Sequence, residues 1–461
     1  MKKIIEPLFF SVICLLLLTV PCAWTKAQTV ELSLDDCLTL ASEGSVAQQN
    51  ARLGILAAQA QRGEARTAWF PNVGMRAIGF QALHPMLSIG LDDVLGHSDG
   101  PNLLRNYIET QGTLYDINTS YSSLLNGYTT AVTLTQPLYA GGRIASGNRL
   151  AEVGVEAARL QANVAVRDDR LAIEKKYWLV VSLEDKQQAL EGGLQLLDTL
   201  LRDVQSATEA GLALTADLMQ VQLRRDELVS DSLRLAAGLR LARMDLLNTI
   251  GVPSYQEGKT VILTTRLTSF ESPEHYFVSP EEAASAADET QLLALSVKAK
   301  QLERRMALGE ALPEVGVGAS YGYGHLIGKP RGNGIVFASV SVPLTDWAKT
   351  SRRIARIGYE MKQAENERAY LSEQLVLRVR QAWEELTLSW QQLAVAQQSA
   401  ETARMLFQQA ERSHTAGMMT TAELLHAELT LRTAETTLSD QRIAYAEALA
   451  YYRALTSPQA R

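Results

Sequence analysis

Proline and glycine landmarks recur along this chain at one fixed spacing. The segment TQPLYAGGR (Thr135 to Arg143) resembles SVPLTDWAK (Ser341 to Lys349), and Pro137 and Pro343 stand 206 residues apart. EAGLALTADL (Glu209 to Leu218) resembles TAGMMTTAEL (Thr415 to Leu424), and Gly211 and Gly417 keep the same offset of 206. Tyr177 and Trp383, Asp217 and Glu423, and Leu223 and Leu429 fall into the same register. Unrelated long helices would not hold such landmarks in step over that distance, so the sequence reads as an internal duplication. Whatever the chain folds into is built from two copies of one plan.

The plan continues upstream at other offsets. SLDDCLTLA (Ser33 to Ala41) parallels SPEEAASAA (Ser279 to Ala287), each opening with Ser and carrying an acidic residue three positions later. Both read as capping boxes, and Pro280 suits a first helical position. WFPNVGM (Trp69 to Met75) then parallels ALPEVGV (Ala311 to Val317), so each helix is expected to end at a proline that introduces extended chain. Pro71 to Pro137 is much longer than Pro313 to Pro343, which places the surplus in the first β connection.

Between the landmarks the pattern is helical. From Gly142 to about Ser206 there is no proline, the glycines are Gly147, Gly154, Gly192 and Gly193, and apolar residues keep heptad-like spacing. A continuous helix of roughly 60 residues is about 90–100 Å long, far more than a globular domain is wide. After Gly211 the chain is expected to run back as helix to Asn248 and to stop at Gly251-Val252-Pro253; the second copy begins near Lys349, turns at Gly417 and ends near Ser457-Pro458. Sparse aromatics, 6% of residues, with abundant Ala, Leu, Gln, Glu and Arg suit long helices.

The β signal is shorter. In Glu314 to Tyr323 the odd positions are apolar or aromatic and the even ones tiny or polar. Val336, Ala338, Val340 and Val342 alternate with Phe337, Ser339 and Ser341, and a Gly332-Asn333-Gly334 turn region is expected between the two strands. Val132 and Leu134 alternate with Thr133 and Thr135, and Val73, Met75 and Ala77 form a weaker counterpart. Taken alone these strands fit a small soluble sheet as well as a lipid-facing one. Tyr321 and Tyr323 could sit in an interface belt, and the Gly/Ser face suits a water-filled lumen. Four strands cannot close a barrel, since the smallest such barrels use about 8, so a spanning sheet would have to be shared among subunits. The connection from about Gln81 to Tyr128 reads as a long surface loop, and His84 and His97 in it lack ligand-spaced company.

The N-terminus carries Lys2 and Lys3, an apolar core from Phe9 to Val20, and Ala27 before a cut, so residues 1–27 read as a signal peptide and Gln28 as the mature start. A lipoprotein cut before Cys22 is disfavoured by Pro21. Cys37 is then the sole mature cysteine and no intrachain disulfide can form. The formal charge is −7 and grows more negative once the leader is removed, which disfavours nucleic acid as a partner. No nucleotide loop, metal-spaced His/Cys cluster or nucleophile elbow is present, so neither an enzyme nor a cofactor is expected.

With QPLYAGG after the second strand, VPLTDWAK after the fourth, and the paired tips Ala210-Gly211-Leu212 and Ala416-Gly417-Met418, the chain resembles the TolC family of outer-membrane efflux proteins over nearly its whole mature length. The resemblance implies a mainly α fold with a small β part, and a homotrimer. Each chain would give four strands to a shared 12-stranded transmembrane β-barrel and long antiparallel helical hairpins to an α-barrel. It also implies a passive exit duct in the bacterial outer membrane that extends into the periplasm, with a periplasmic adaptor, an inner-membrane pump and outer-membrane lipid as partners. The six tip residues correspond to the adaptor-docking turns, although Ala210, Ala416 and Met418 depart from the family's pattern. Asp217 and Glu423 correspond to an acidic periplasmic aperture. A second acidic position of that constriction falls on His426, which would weaken the ring and make it pH-sensitive. The family's tyrosine and arginine gate links fall on His414 and Met419, so a different lock is expected. Without the family, Asp217 and Glu423 read equally as helix-start carboxylates that offset the dipole.

The segments expected on this reading are 28–70, N-terminal periplasmic helices; 71–140, a strand pair with a long extracellular loop; 141–250, a helical hairpin; and 251–278, an irregular equatorial segment. The second repeat follows as a helix at 279–312, a strand pair at 313–345, and a hairpin with the C-terminus at 346–461. Two other readings remain: a periplasmic adaptor, which needs one hairpin inserted into a split lipoyl-like β domain, and a coiled-coil envelope scaffold, which needs no Gly-bare, apolar-faced strands.

Overall fold

A computed structural model describes residues 30–84, 87–89, 107–108, 110–111, 121–123, 126–252, 261–266, 270–325, 330–344 and 347–457. The leader, Cys22, Gln28, His97, Pro253, Pro458 and most of the Gln81–Tyr128 connection lie outside them. In chain order the elements are β1 (Val30–Leu32), α1 (Leu34–Gly44), α2 (Val46–Thr67), β2 (Asn72–Gln81), β3 (Leu87–Ile89), β4 (Tyr121–Ser123), β5 (Asn126–Ala140), α3 (Arg143–Glu209) and α4 (Thr215–Thr249). The second repeat follows with β6 (Val261–Leu263), a 3-10 turn (Pro273–Tyr276), α5 (Pro280–Ala286), α6 (Asp288–Gly309), β7 (Glu314–His325), β8 (Arg331–Ser341), α7 (Trp347–Thr415) and α8 (Thr421–Thr456). Among the described residues no helix is long and apolar enough to cross a membrane.

One compact unit comprises Ile55–Arg159 and Leu292–Ala369. Its centre is a four-stranded antiparallel sheet in the order β2-β5-β7-β8. The register places Val73, Leu134, Ala319 and Val336 in one row and Met75, Val132, Tyr321 and Gly334 two rows on, so both repeats put their apolar alternation on the same face. That face is solvent-exposed in the single chain, with Val336 87% accessible. The opposite face is small and polar along β5 and β7, where the Thr133 and Ser320 hydroxyls lie 2.9 Å apart. Gly332 and Gly334 were expected in a turn and instead lie inside β8, where the Tyr321 ring covers both. Edge strands β2 and β8 have no second partner among the described residues.

The other unit comprises Met1–Gly54, Leu160–Gln291 and Tyr370–Arg461. Its core repeats the 206-residue register in three dimensions. Ile173, Val180, Leu239 and Leu246 are buried in one cluster, and their counterparts Val379, Leu386, Tyr445 and Tyr452 are buried in another. The segment expected to be irregular carries β6, which pairs in parallel with β1; Tyr177 ties the pair by accepting from Thr265 N at 2.9 Å and donating to the Leu32 carbonyl at 3.3 Å. The first capping box forms, with Asp36 N donating to Ser33 Oγ at 3.1 Å and Ser33 N to Asp36 Oδ2 at 2.9 Å. The second does not: Ser279 Oγ donates to Glu281 at 3.0 Å, Glu281 also pairs with Arg380, and Ser279 makes no side-chain cap bond to the helix. The helix expected after Ser279 is broken at Ala287 into α5 and α6.

Candidate docking tips and aperture residues

The two hairpin turns share one local design. At the end of α3, Gly211 takes φ 72°, Gly211 N donates to Thr208 O at 3.0 Å, and Leu212 N reaches back to Ala207 O at 2.8 Å. At the end of α7, Gly417 takes φ 70°, Gly417 N donates to His414 O at 2.9 Å, and Met418 N reaches Ser413 O at 2.9 Å. These paired bonds are Schellman motifs, which need a left-handed residue where glycine carries no Cβ penalty. Ala210, Gly211, Leu212, Ala416, Gly417 and Met418 are all exposed; Leu212 is 84% and Met418 78% accessible. Beneath them Leu197, Leu200, Val204, Val221, Leu228, Ala410, Leu424 and Ala427 form one core, so the two turns belong to a single packed end of this unit.

Asp217 and Glu423 each sit at the third position of the returning helix. Glu423 Oε2 accepts from Thr420 N at 2.9 Å and Thr420 Oγ1 at 2.8 Å, while Glu423 N donates to Thr420 Oγ1 at 3.3 Å, which completes a capping box. These bonds hold the exposed Glu423 carboxyl below the usual carboxylate range. The cap is therefore intact at neutral pH and is lost as pH falls through that lowered value. Asp217 Oδ2 accepts only from Leu214 N, at 3.3 Å, because leucine stands where the second copy has Thr420. Both carboxylates thus cap their own helices. No bond joins them to each other or to His426, which is exposed one turn beyond Glu423. His414 Nε2 lies 3.4 Å from Thr421 Oγ1, within its own hairpin, and Met419 packs against the tip core.

One feature of this end escaped the sequence reading. Glu428, 1% accessible, receives Arg432 Nε at 3.0 Å and Arg224 Nη2 at 3.5 Å. Arg432 also donates to the Ala189 carbonyl, and a Cβ on Gly193 would stand 3.0 Å from both its guanidinium and Leu228. The cluster joins α3, α4 and α8. A glutamate in the apolar stripe Leu424, Ala427, Leu431 was the available signal.

Residues 280–456, the second repeat, match the family model described as outer membrane efflux protein. Comparison with curated proteins finds no match. Among solved structures the chain is similar to the CmeC outer membrane channel of Campylobacter jejuni, with a TM-score of 0.73 and 12% identity over 92% of this chain and 85% of that one. It is similar to the outer membrane protein VceC of Vibrio cholerae, with a TM-score of 0.68 and 14% identity over 92% and 96% of the two chains. It also resembles the open state of the MtrE outer membrane channel of Neisseria gonorrhoeae, at 0.68 and 15% over 92% and 89%. These similarities extend the fold of such channels across both repeats, and the family match assigns residues 280–456 to the outer membrane efflux protein domain.

Proposed function

We propose that three copies of this chain form the outer-membrane exit duct of a tripartite efflux or type I secretion system. A periplasmic adaptor docks on Ala210-Gly211-Leu212 and Ala416-Gly417-Met418, an inner-membrane pump supplies the energy, and the chain itself catalyses nothing. The observation that carries this reading is the four-stranded sheet: one face apolar, the other small and polar along its two central strands, and both edges unpaired among the described residues. An exposed sheet edge is a template for another strand, and closure among copies removes both edges at once. The apolar face would meet outer-membrane lipid, with Tyr128, Tyr321 and Tyr323 near one end of the strands as an interface girdle. Segments 71–140 and 313–345 then supply the membrane barrel, and the hairpins reach into the periplasm.

In this duct Asp217 and Glu423 ring the periplasmic aperture as cation-attracting carboxylates, with His426 beside them. The capping geometry supports a fixed position for each carboxylate. It also guides the test, because alanine would remove cap and charge together, whereas Asp217→Asn and Glu423→Gln leave a carbonyl oxygen to accept the cap bond. Purified protein in planar bilayers is expected to give stable unitary pores, and the paired Asn/Gln variant to lower cation preference by about twofold or more, with alanine variants run alongside. Pores with unchanged selectivity would remove the aperture assignment and keep the duct. A folded, membrane-extracted oligomer that forms no pore would remove the duct and restore the adaptor or scaffold readings.

A further inference from the structure

We infer that the barrel formed by this sheet carries a basic collar on its lumenal face that favours anionic solutes; this rests on the duct reading. Among the described strand residues of the four-stranded sheet, the ionised side chains are Arg76, Glu314 and Arg331. Glu314 is neutralised by Arg143 at 2.7 Å. Arg76 and Arg331 have no ion-pair partner among the described residues, and both are exposed.

The register decides which way they face. Arg76 aligns with Ala131, Gly322 and Asn333; Arg331 aligns with Gly324, Thr129 and Ile78, two rows away. Both rows alternate with the rows of Met75, Val132, Tyr321 and of Ala77, Thr130, Tyr323, so both arginines lie on the face that is small and polar along β5 and β7. A guanidinium on the lipid face near the bilayer midplane costs about 2–4 kcal/mol, whereas on the lumenal face it is solvated. Arg76 is on one edge strand and Arg331 on the other. Closure among copies brings β8 of one copy beside β2 of the next, so every seam carries one arginine on each of its two strands.

Unpaired, always-charged guanidiniums lining a pore attract anions and present planar donors to phosphate, sulfate or carboxylate groups. The collar thus selects for anionic cargo groups at the barrel, opposite in sign to the carboxylates assigned to the aperture.

The test uses the full mature chain in phosphatidylcholine bilayers under a KCl gradient. Arg76→Gln with Arg331→Gln is expected to shift the permeability ratio toward K⁺ by at least about twofold, and Arg76→Lys with Arg331→Lys to leave it near wild type. Independently, inositol hexakisphosphate added to each side in turn is expected to block wild-type pores from one side, and about tenfold less well in the Gln variant. Pores of normal size with unchanged selectivity, or no block of the wild type from either side, would overturn the collar while leaving the duct intact. Absence of any wild-type pore would instead overturn the duct, and the collar with it.

Discussion

Gly251→Val should leave little folded protein to recover. Gly251 takes φ 77°, and a Cβ there would stand 2.2 Å from the Gly44 carbonyl oxygen and 2.5 Å from the Gly44 Cα. The contact is reciprocal, since a Cβ on Gly44 would meet the Ile250 carbonyl oxygen at 2.5 Å. Backbone packed on backbone has no rotamer through which to yield, and a β-branched residue at positive φ adds strain of its own. Together we expect a loss of about 3–5 kcal/mol, enough to unfold a marginally stable protein. Membrane-extracted, protease-resistant oligomer is the quantity to measure. Gly54→Ala and Gly63→Ala serve as controls, because both sit in α2 with open space around them and should be neutral or slightly stabilising. The other unit holds an equivalent pair, Gly141 at φ 60° against Gly309, and Gly141→Val should be as damaging there. Wild-type recovery of Gly251→Val would show that this backbone contact is not what fixes the end of α4.

Glu428→Ala should loosen the tip end without dismantling the chain. The substitution leaves Arg224 and Arg432, each about one-fifth exposed, without the carboxylate they share, and opens a void beside Leu424 and Ala427. Removing one partner of a buried charge cluster typically costs about 3 kcal/mol or more, and here Glu227, Glu435 and the Ala189 carbonyl hold part of the guanidinium charge. We expect about 3 kcal/mol, seen as faster amide exchange across Leu197–Leu228 and Ala410–Leu431 with unchanged exchange in the strands. Glu428→Gln keeps the volume and two acceptor sites and should cost about half as much. Equal exchange in wild type and Glu428→Ala would mean that the apolar core alone holds the turns.

The parts of this fold that could be read in advance are those written by repetition. The fixed offset identified both hairpins because each turn needs a left-handed glycine at the same place, and each long helix needs its apolar stripe in step with its copy. Strand faces were readable for the same reason, since period-two alternation survives without knowledge of partners. What escaped depends on a single distant partner. β1 and β6 are three residues each and pair across more than half of the chain, so neither has a periodic signal. At Ser279 the hydroxyl goes to Glu281, which also pairs with the distant Arg380, and the box with Glu282 does not form. The Gly332-Asn333-Gly334 run reads as a turn until Tyr321 covers its glycines and keeps it in the strand. Glu428 and its arginines come from two repeats that differ at that point, so the duplication itself hides them.

The Schellman turns have a consequence for how such a chain can change. Each turn is held by backbone bonds and one glycine, and a Cβ added at Gly211 or Gly417 would meet nothing within 4 Å. The side chains at Ala210, Leu212, Ala416 and Met418 are therefore not needed to keep the turn closed. A lineage, or a designer, can rewrite these four positions while the scaffold beneath stays folded, which makes partner choice a separately evolvable trait and the tip a graftable cassette.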